Sequence, residues 1–458
     1  MSRTRRNILL VEPDYKNKFP PLGLMKIATY HRLLGDHVVF VKGESPEHKE
    51  KIWHRIYITT LFTYFWKKTI KTIYYYSKST HDTRNVYIGG ILATLMQKDL
   101  LDEFLNNYDF TYIYGLLDEP NMLDHDNKYI VERMVPNYAI LDEIDYQYHV
   151  KDSYIGYATR GCTKNCRFCA VRILEPYPRY KCEMHTSVID LVRNIDQLYG
   201  QKRDLLLMDN NILASSDFEK IINEIILSGF EKGATHNRKK RRLDFNQGLD
   251  ARLMNQKKAK LLAKTAIMPI RFACDNSRMM KSYEKAVRIA CNYGLTKQST
   301  YVLFNYKDTP EDFYQRLHFN LKLNEEMSAK ISSFPMKYIP LNSKDRKYIG
   351  KHWHRKIIRG VQCILLATKG MVSPNPDFFR RAFGENEKRF REICMMPENY
   401  IIWRDKNEQK ASEWCKLYRS LSRNELDQLM EVLAKGKIKE KDCMQSTGKL
   451  KKLMGHYI

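Results

Sequence analysis

The sequence lacks any apolar run close to the roughly 20 residues that a bilayer-spanning helix needs. Its first residues, MSRTRRNILLVEP, pass from a basic tip into a short apolar run without a small-residue cleavage site, which argues against a secretory signal peptide. Both absences predict a cytoplasmic protein with reduced thiols. Its ten cysteines are therefore not expected to form a disulfide framework. Clustered ones are candidate metal or catalytic ligands, and isolated ones are expected in the core.

Proline and glycine are also scarce, with 15 and 20 residues among 458, while 43% of the chain is hydrophobic. This composition predicts a folded chain of two or three domains that is dense in secondary structure. Acidic residues are outnumbered, because 78 Lys and Arg against 53 Asp and Glu give a net charge of +25. The excess favours an anionic or nucleic-acid partner. Part of it lies in RKKRR at residues 238–242, either a solvated loop or a phosphate-contacting segment.

The first 125 residues alternate between apolar strands and amphipathic helices. The predicted strands are NILLVE, HVVFVKG, RIYITTLF, NVYIGGI and FTYIYGL, and the predicted helices are LGLMKIATYHRLLGDH, TYFWKKTIKTIYYYSK and LATLMQKDLLDEFLNN. NILLVE is apolar throughout and ends at Pro13, which suits a strand buried on both faces. The alternation predicts an α/β domain with a parallel, doubly wound, Rossmann-like or flavodoxin-like sheet.

Residues 126–150 are predicted to be a linker, and a second β/α array follows at 151–342. Its six predicted strands are YIGYATRGC, LLLMDNNIL, LDFNQGLDARL, MPIRFACDN, TYVLFNY and ISSFPMKYIPL. Six such units predict a partial (β/α)6 TIM-type barrel, with its chemistry at the C-terminal ends of the strands. Residues 343–458 are charged, with helical spacing, and predict a mainly helical, basic region.

Three of the ten cysteines, Cys162, Cys166 and Cys169, fall within GCTKNCRFC directly after a predicted strand. Three thiolates on one loop can hold the corners of an iron-sulfur cube and leave its fourth iron open to a small molecule. The alternative is a closed zinc site completed by Cys182 or His185. Zinc ligands usually come as two separated close pairs, so the spacing favours the cluster.

The Cys-x3-Cys-x2-Cys loop, with Phe168 before its third cysteine and a parallel β/α array after it, resembles the radical S-adenosylmethionine (SAM) superfamily. This resemblance implies that the three cysteines bind a 4Fe-4S cluster and that SAM chelates the fourth iron. Reductive cleavage of SAM would then give a 5′-deoxyadenosyl radical, which abstracts a substrate hydrogen. An electron donor such as flavodoxin or ferredoxin is implied as a partner.

The resemblance also implies cofactor-binding residues at matching strand ends. Where the family usually has Gly-Gly-Glu, this chain has Asp209 and Asn210, which would meet the SAM amino group. Asp275 would bind the ribose, Asn305 would lie near the adenine, and Phe168 would pack by the adenine or brace the loop. No catalytic residue is identified.

The N-terminal region resembles the cobalamin-binding domain that precedes many radical SAM barrels, on the basis of the Pro-Pro-Leu-Gly segment, Gly89-Gly90 after a strand, and VPNYAILD. It departs from that domain because the loop EPDYKNKFPP has no cobalt-ligating histidine. Two interpretations stay open: Gly89 and Gly90 contact cobalamin, or the domain is degenerate and serves packing or substrate docking.

Three functions remain open on this sequence. With cobalamin, the domain order suggests radical methylation by a transferase, with a rearrangement or a ring contraction as alternatives. Without it, the charge makes modification of a nucleic acid or nucleotide attractive. From another class, the chain would be a non-catalytic, zinc-stabilised nucleic-acid-binding protein. Cys363, Cys394, Cys415 and Cys443 have no close pair and are expected to be core or surface thiols rather than ligands of a second cluster.

Overall fold

The computed structural model describes residues 4–125 and 127–458, so residue 126, the first of the predicted linker, lies outside it together with residues 1–3. The chain has parallel sheets and a helical C-terminal region. It divides into two compact units. The first unit ends at Met268 and also includes Pro340–Arg346, and the second consists of Pro269–Ile339 and Lys347–Ile458. Among the described residues, no helix combines the length and hydrophobicity needed to cross a membrane.

The first unit opens with a five-stranded parallel sheet. Its elements are β1 (Asn7–Glu12), α1 (Leu22–Leu33), β2 (His37–Lys42), α2 (Pro46–Lys49), β3 (Arg55–Thr60), α3 (Trp66–Tyr76), β4 (Val86–Gly90), α4 (Ile91–Leu95), α5 (Gln97–Phe104) and β5 (Thr111–Ile113). The strand order is β2-β1-β3-β4-β5, which is the order of flavodoxin-type doubly wound sheets. The helix predicted over LATLMQKDLLDEFLNN is interrupted at Met96, whose φ of −126° and ψ of 44° are not helical.

Strand β1 shows why this sheet forms. Ile8, Leu9, Leu10 and Val11 are all 0% exposed, so the strand is covered on both faces, as its uniform hydrophobicity predicts. One face packs against α3, α4 and α5 in a core that includes Ile73, Leu92 and Phe104. Because all five strands are parallel, their carboxyl ends share one edge of the sheet.

The remainder of the first unit carries the cysteine loop. Its elements are β6 (Ser153–Gly156), β7 (Thr159–Gly161), α6 (Val171–Leu174), β8 (Lys181–Met184), α7 (Val188–Tyr199), β9 (Asp204–Leu207), α8 (Phe218–Leu227), β10 (Thr235–His236), β11 (Lys239–Lys240), β12 (Leu243–Phe245) and α9 (Gln256–Leu262). Strands β12-β9-β6 form a parallel sheet. The predicted strand YIGYATRGC is two strands, because β7 leaves this sheet and pairs antiparallel with β8.

The second unit begins with a three-stranded parallel sheet in the order β13-β14-β15. Its elements are β13 (Ile270–Ala273), α10 (Met280–Asn292), β14 (Lys297–Phe304), α11 (Pro310–Met327), β15 (Lys330–Lys337), α12 (Arg355–Leu366), α13 (Pro376–Phe383), α14 (Glu387–Met395), α15 (Glu398–Ile402), α16 (Glu408–Arg419), α17 (Arg423–Lys435), α18 (Glu440–Met444) and α19 (Gly448–Gly455). Helices α12 to α19 share one hydrophobic core with β14 and α11, in which Trp414 is 0% exposed. Four free thiols are buried in that core, as predicted: Cys363, Cys394, Cys415 and Cys443.

All six predicted strands of the second β/α array are present, three in each unit. Their closure into one partial barrel stays a prediction. The same holds for the division of the chain at residues 125, 150 and 342.

Candidate cysteine-loop site

The loop that follows β7 brings the three clustered cysteines onto one turn. Cys162, Cys166 and Cys169 all carry half-buried thiols. The backbone N–H of Cys169 donates to the carbonyl of Cys166 at 3.0 Å, which closes the second half of the loop. The backbone N–H of Lys164 donates to the sulfur of Cys162 at 3.4 Å. The loop is therefore an ordered turn that already directs a hydrogen-bond donor at one of the sulfur atoms.

A second hydrogen-bond donor to the sulfur of Cys162 comes from the segment that follows β9. The Nδ2 of Asn211 lies 3.4 Å from Cys162 Sγ, and Asn211 is only 2% exposed. Its Oδ1 is buried without a hydrogen-bond partner among the described residues. Sequence reasoning placed polar residues at this strand end but selected Asp209 and Asn210, so the amide that contacts the loop was missed. Hydrogen bonds to ligand sulfurs are one of the factors that set iron-sulfur reduction potentials.

The base of the loop is held by Glu175, which is 6% exposed. Its carboxylate accepts the backbone N–H of Gly161 at 2.6 Å and the guanidinium of Arg160 at 2.8 Å. The amide of Asn210 donates to the same carboxylate at 2.8 Å. Asn210 thus braces the loop through Glu175, and its contact with SAM stays a prediction. Glu175 had no sequence signal, because it lies in EPYPRY with no motif around it.

Arg160 extends this brace into a buried chain of charges. Its guanidinium pairs with Glu132 as well as with Glu175, and the ammonium of Lys26 lies 2.7 Å from the carboxylate of Glu132. Burial alone would raise the pKa of Glu132, but the charges of Lys26 and Arg160 outweigh it and lower that pKa to about 2. Positive and negative side chains therefore alternate from Lys26 in α1, through Glu132, to Arg160, which directly precedes Gly161.

Acid is expected to weaken this chain of charges. Because the pKa of Glu132 is lower in the folded protein than its ordinary value of 4.5, its ionised form contributes stability above about pH 4.5 that is lost as the pH falls toward about 2. The difference corresponds to about 3 kcal/mol in the free energy of unfolding. Urea unfolding of the wild type and of Glu132→Gln should show a stability gap that shrinks between about pH 5 and about pH 3. A gap independent of pH would contradict the role assigned to the Glu132 charge.

Asp209, predicted to meet the SAM amino group, is 0% exposed in this structure. Its carboxylate accepts the backbone N–H and the hydroxyl of Thr159 at 2.5 and 2.7 Å and the backbone N–H of Ala158 at 3.2 Å. Burial raises the pKa of Asp209 to about 6. The side chain ties the end of β9 to β7, and a contact with a cofactor stays a prediction.

Cys182, the residue on which the zinc alternative depends, lies in β8 and is 0% exposed. Its thiol donates to the carbonyl of Gly161 at 3.3 Å, and burial raises its pKa to about 11. Among residues 4–125 and 127–458, no three His, Cys, Asp or Glu side chains are gathered as ligands of a single metal ion. The three loop thiols can still suit an iron-sulfur cube, in which each thiolate binds a different iron.

The remaining predicted SAM contacts are distributed over both units. Phe168 is half-buried within the cysteine loop. Asp275 follows β13 in the second unit and is partly exposed. Asn305, which follows β14, is 0% exposed and adopts a φ of 70°. Its amide donates to the carbonyls of Tyr338 and Tyr348 and accepts the N–H of Gly350. Asn305 therefore fastens the end of its own sheet, and the three assignments stay predictions.

Gly89 and Gly90 end β4 at the carboxyl edge of the N-terminal sheet. A Cβ at Gly89 would lie 3.1 Å from the Cβ of Ile113, and one at Gly90 would overlap the backbone of Thr60. The absence of a side chain therefore allows β5 to lie close to Gly89 and β3 to lie close to Gly90. At the end of β1, Glu12 pairs with Lys42 at 2.6 Å. The contact of Gly89 and Gly90 with cobalamin stays a prediction.

No known family model and no curated protein matches the chain. Among solved structures it is similar to the radical S-adenosylmethionine methyltransferase TsrM from Kitasatospora setae with cobalamin and a [4Fe-4S] cluster bound, at 14% identity and a TM-score of 0.52 over 79% of this chain and 78% of that one. The same enzyme with tryptophan substrate and aza-SAM gives 14% identity and a TM-score of 0.51 over 78% and 76% of the two chains. The cobalamin-dependent enzyme OxsB overlaps at 11% identity and a TM-score of 0.47 over 94% and 70%. The similarity to TsrM shows that this chain shares the fold of a radical SAM methyltransferase.

Proposed function

We propose that this chain is a radical SAM enzyme whose cluster is held by Cys162, Cys166 and Cys169. One observation carries the proposal: three thiols share an ordered turn, and N–H donors from Lys164 and Asn211 already point at the first sulfur. The likeness to TsrM, a methyltransferase with a cluster bound, supports this interpretation of the loop.

The residues of the site fit a three-thiolate cluster. The three cysteines are half-buried, so they are neither fully exposed nor enclosed in the core. The guanidinium of Arg252, held by Asp250 at 2.7 Å, lies beside the thiol of Cys166 and offsets negative charge there. Thiolate ligands and their N–H partners are the surroundings in which protein iron-sulfur clusters are found.

When bound, the cluster and SAM would supply a one-electron cleavage of the sulfonium that yields methionine and a 5′-deoxyadenosyl radical able to take a substrate hydrogen. The chain's own residues hold and orient the loop. Glu175 fixes the backbone before Cys162, and Asn211 donates to its sulfur. The uncharged amide of Asn211 and the backbone N–H of Lys164 both direct hydrogen bonds at this sulfur, as the outer partners of metal ligands do.

Methylation that depends on cobalamin is the finer form of this proposal. It is supported by the β2-β1-β3-β4-β5 sheet and by the cobalamin bound to TsrM. The loop after β1 contains no histidine to ligate cobalt, and the glycine pair approaches β5 and β3, so no step is derived through cobalamin. Modification of a nucleic acid or nucleotide without cobalamin is the second candidate, and the net charge of +25 favours it.

Anaerobic purification of the full chain tests the proposal. The protein is expected to contain iron and sulfide, to absorb broadly near about 400 nm, and to form 5′-deoxyadenosine from SAM after reduction with dithionite, measured by mass spectrometry. Omitting the reductant is the control. A colourless protein with stoichiometric zinc and no 5′-deoxyadenosine would sink the proposal. Adding hydroxocobalamin before gel filtration separates the finer forms, since co-elution of the corrin supports methylation and its complete loss opposes it.

A further inference from the structure

The basic run at residues 238–242 forms part of a short β-hairpin, defined here as the basic hairpin, residues 230–242. Strands β10 and β11 pair antiparallel, with Thr235 opposite Lys240 and His236 opposite Lys239. The two residues between them, Asn237 and Arg238, have φ values of 48° and 62°. Two consecutive residues with positive φ make the tight turn typical of two-residue hairpins. The run is therefore an ordered ribbon inserted between α8 and β12.

The base of the basic hairpin is fixed to the first unit. The backbone N–H of Lys232 donates to the carbonyl of Lys264 at 2.7 Å, and that of Arg241 donates to the carbonyl of Ala234 at 2.9 Å. The guanidinium of Arg241 lies 4.6 Å from the centre of the Phe230 ring and contacts the carbonyl of Gly229 at 3.3 Å. One arginine of the run is thus structural, and it holds the rest of the ribbon in place.

Five further cations of the basic hairpin have exposed side chains: Lys232, Arg238, Lys239, Lys240 and Arg242. Among the described residues none of the five forms an ion pair. Elsewhere, exposed arginines of this protein are commonly paired, as Arg84 is with Asp82 and Arg359 with Glu398. Lys239 and Lys240 are adjacent in one strand, so their side chains point to opposite faces of the ribbon. The hairpin is therefore cationic on both faces.

We propose that the basic hairpin binds the phosphate backbone of a nucleic acid. Unpaired cations on both faces suit a partner with charges on either side of the ribbon, and a two-stranded ribbon is narrow enough to enter the major groove of a duplex. Residues 230–242 of the described surface contain no exposed large apolar side chain. Stable protein interfaces and membrane insertion both need apolar anchors, so a protein partner and a lipid surface are disfavoured.

The proposal goes beyond the radical chemistry and does not depend on it. Binding is measured by fluorescence anisotropy with the full chain, without SAM or reductant, on a labelled single-stranded RNA and a labelled DNA duplex of about 20 nucleotides each. Lys239→Glu, Lys240→Glu and Arg242→Glu are combined in one variant. The control combines Lys449→Glu, Lys451→Glu and Lys452→Glu, which are exposed lysines of α19 and make the same change in net charge.

The wild type is expected to bind at least one of the two probes with an affinity that falls as salt rises. The hairpin variant should bind at least about tenfold more weakly, and its slope of log affinity against log salt should be smaller by about 2 to 3. The control variant should keep most of the wild-type affinity and most of the wild-type salt slope. The glutamine version of the same three positions should show about half the loss, which separates charge removal from charge reversal. Equal weakening in both variants, or no weakening in the hairpin variant, would overturn the proposal. So would hairpin-dependent binding to vesicles of phosphatidylserine without binding to either nucleic acid.

Discussion

Replacing Cys166 by alanine is expected to remove the iron-sulfur absorption and to reduce 5′-deoxyadenosine formation to the level measured without protein. Cys166 supplies one of three thiols on the loop, and among the described residues no other His, Cys, Asp or Glu side chain completes a set of ligands with the remaining two. Alanine at Cys162 or Cys169 should have the same effect. The measurements are iron and sulfide per chain after anaerobic reconstitution, and nucleoside formation by mass spectrometry.

Cys182→Ala is the matched control, because it removes a thiol of the same unit that donates to the Gly161 carbonyl at 3.3 Å. Losing that hydrogen bond should cost only about 1 kcal/mol of stability, and the cluster and SAM cleavage should persist. A zinc site predicts the reverse pattern, in which Cys182→Ala releases a stoichiometric zinc ion. Retention of full iron content by Cys166→Ala would also contradict the assignment of the loop thiols.

Local pattern predicts the strands of this protein well. NILLVE coincides with β1 because its burial on both faces leaves a uniform apolar run in the sequence. The antiparallel pair of β7 and β8 could not be predicted in the same way. β8 is four residues long, contains Cys182 at a φ of 63°, and pairs with a strand that lies well before it in the chain, so that Gly161 meets Lys181. Pairing between two segments that far apart in the chain produces no repeating hydrophobic pattern from which the sequence could predict it.

The candidate site also contains residues that the sequence predicts and residues that it does not. The three thiols were predictable because they lie close together in the sequence, and the strand-end rule points to the polar residues that follow β9. The rule does not say which of those consecutive side chains faces the loop. Asn211 does so because its backbone leaves the strand with a φ of −159° and a ψ of 67°. Glu175 was not predictable, since its partner Asn210 is 35 residues away.

The charge distribution has two parts that composition alone cannot separate. Arg160 belongs to a buried chain in which each cation meets a carboxylate, so it adds to the charge of the protein but not to its surface. The five exposed cations of the basic hairpin are unpaired among the described residues and carry charge outward. A net charge of +25 is therefore informative about partners only where the structure leaves the cations accessible.

Gly161→Ala is expected to destabilise the protein and to lower its cluster content. Gly161 has a φ of 91°, and a Cβ there would lie within 2.7 Å of the carbonyl carbon of Tyr180. Positive φ costs an alanine about 1–2 kcal/mol, and loss of the N–H bond to the Glu175 carboxylate adds about 1.5–3 kcal/mol. We expect a fall of about 3–5 kcal/mol in the free energy of unfolding, from urea titration, because either Tyr180 or the residue before Cys162 must move.

Gly233→Ala separates backbone strain from steric overlap, since Gly233 has a φ of 89° but a Cβ at this position would have no heavy atom within 4 Å. This control should lose only about 1–2 kcal/mol and should bind iron as the wild type does. If the two variants lose equal stability and both retain iron, the close approach to Tyr180 is not what requires glycine before Cys162. If Gly161→Ala alone loses iron, the close approach of Gly161 to Tyr180, and with it the N–H bond from Gly161 to the Glu175 carboxylate, is what sets the first thiol of the loop in place.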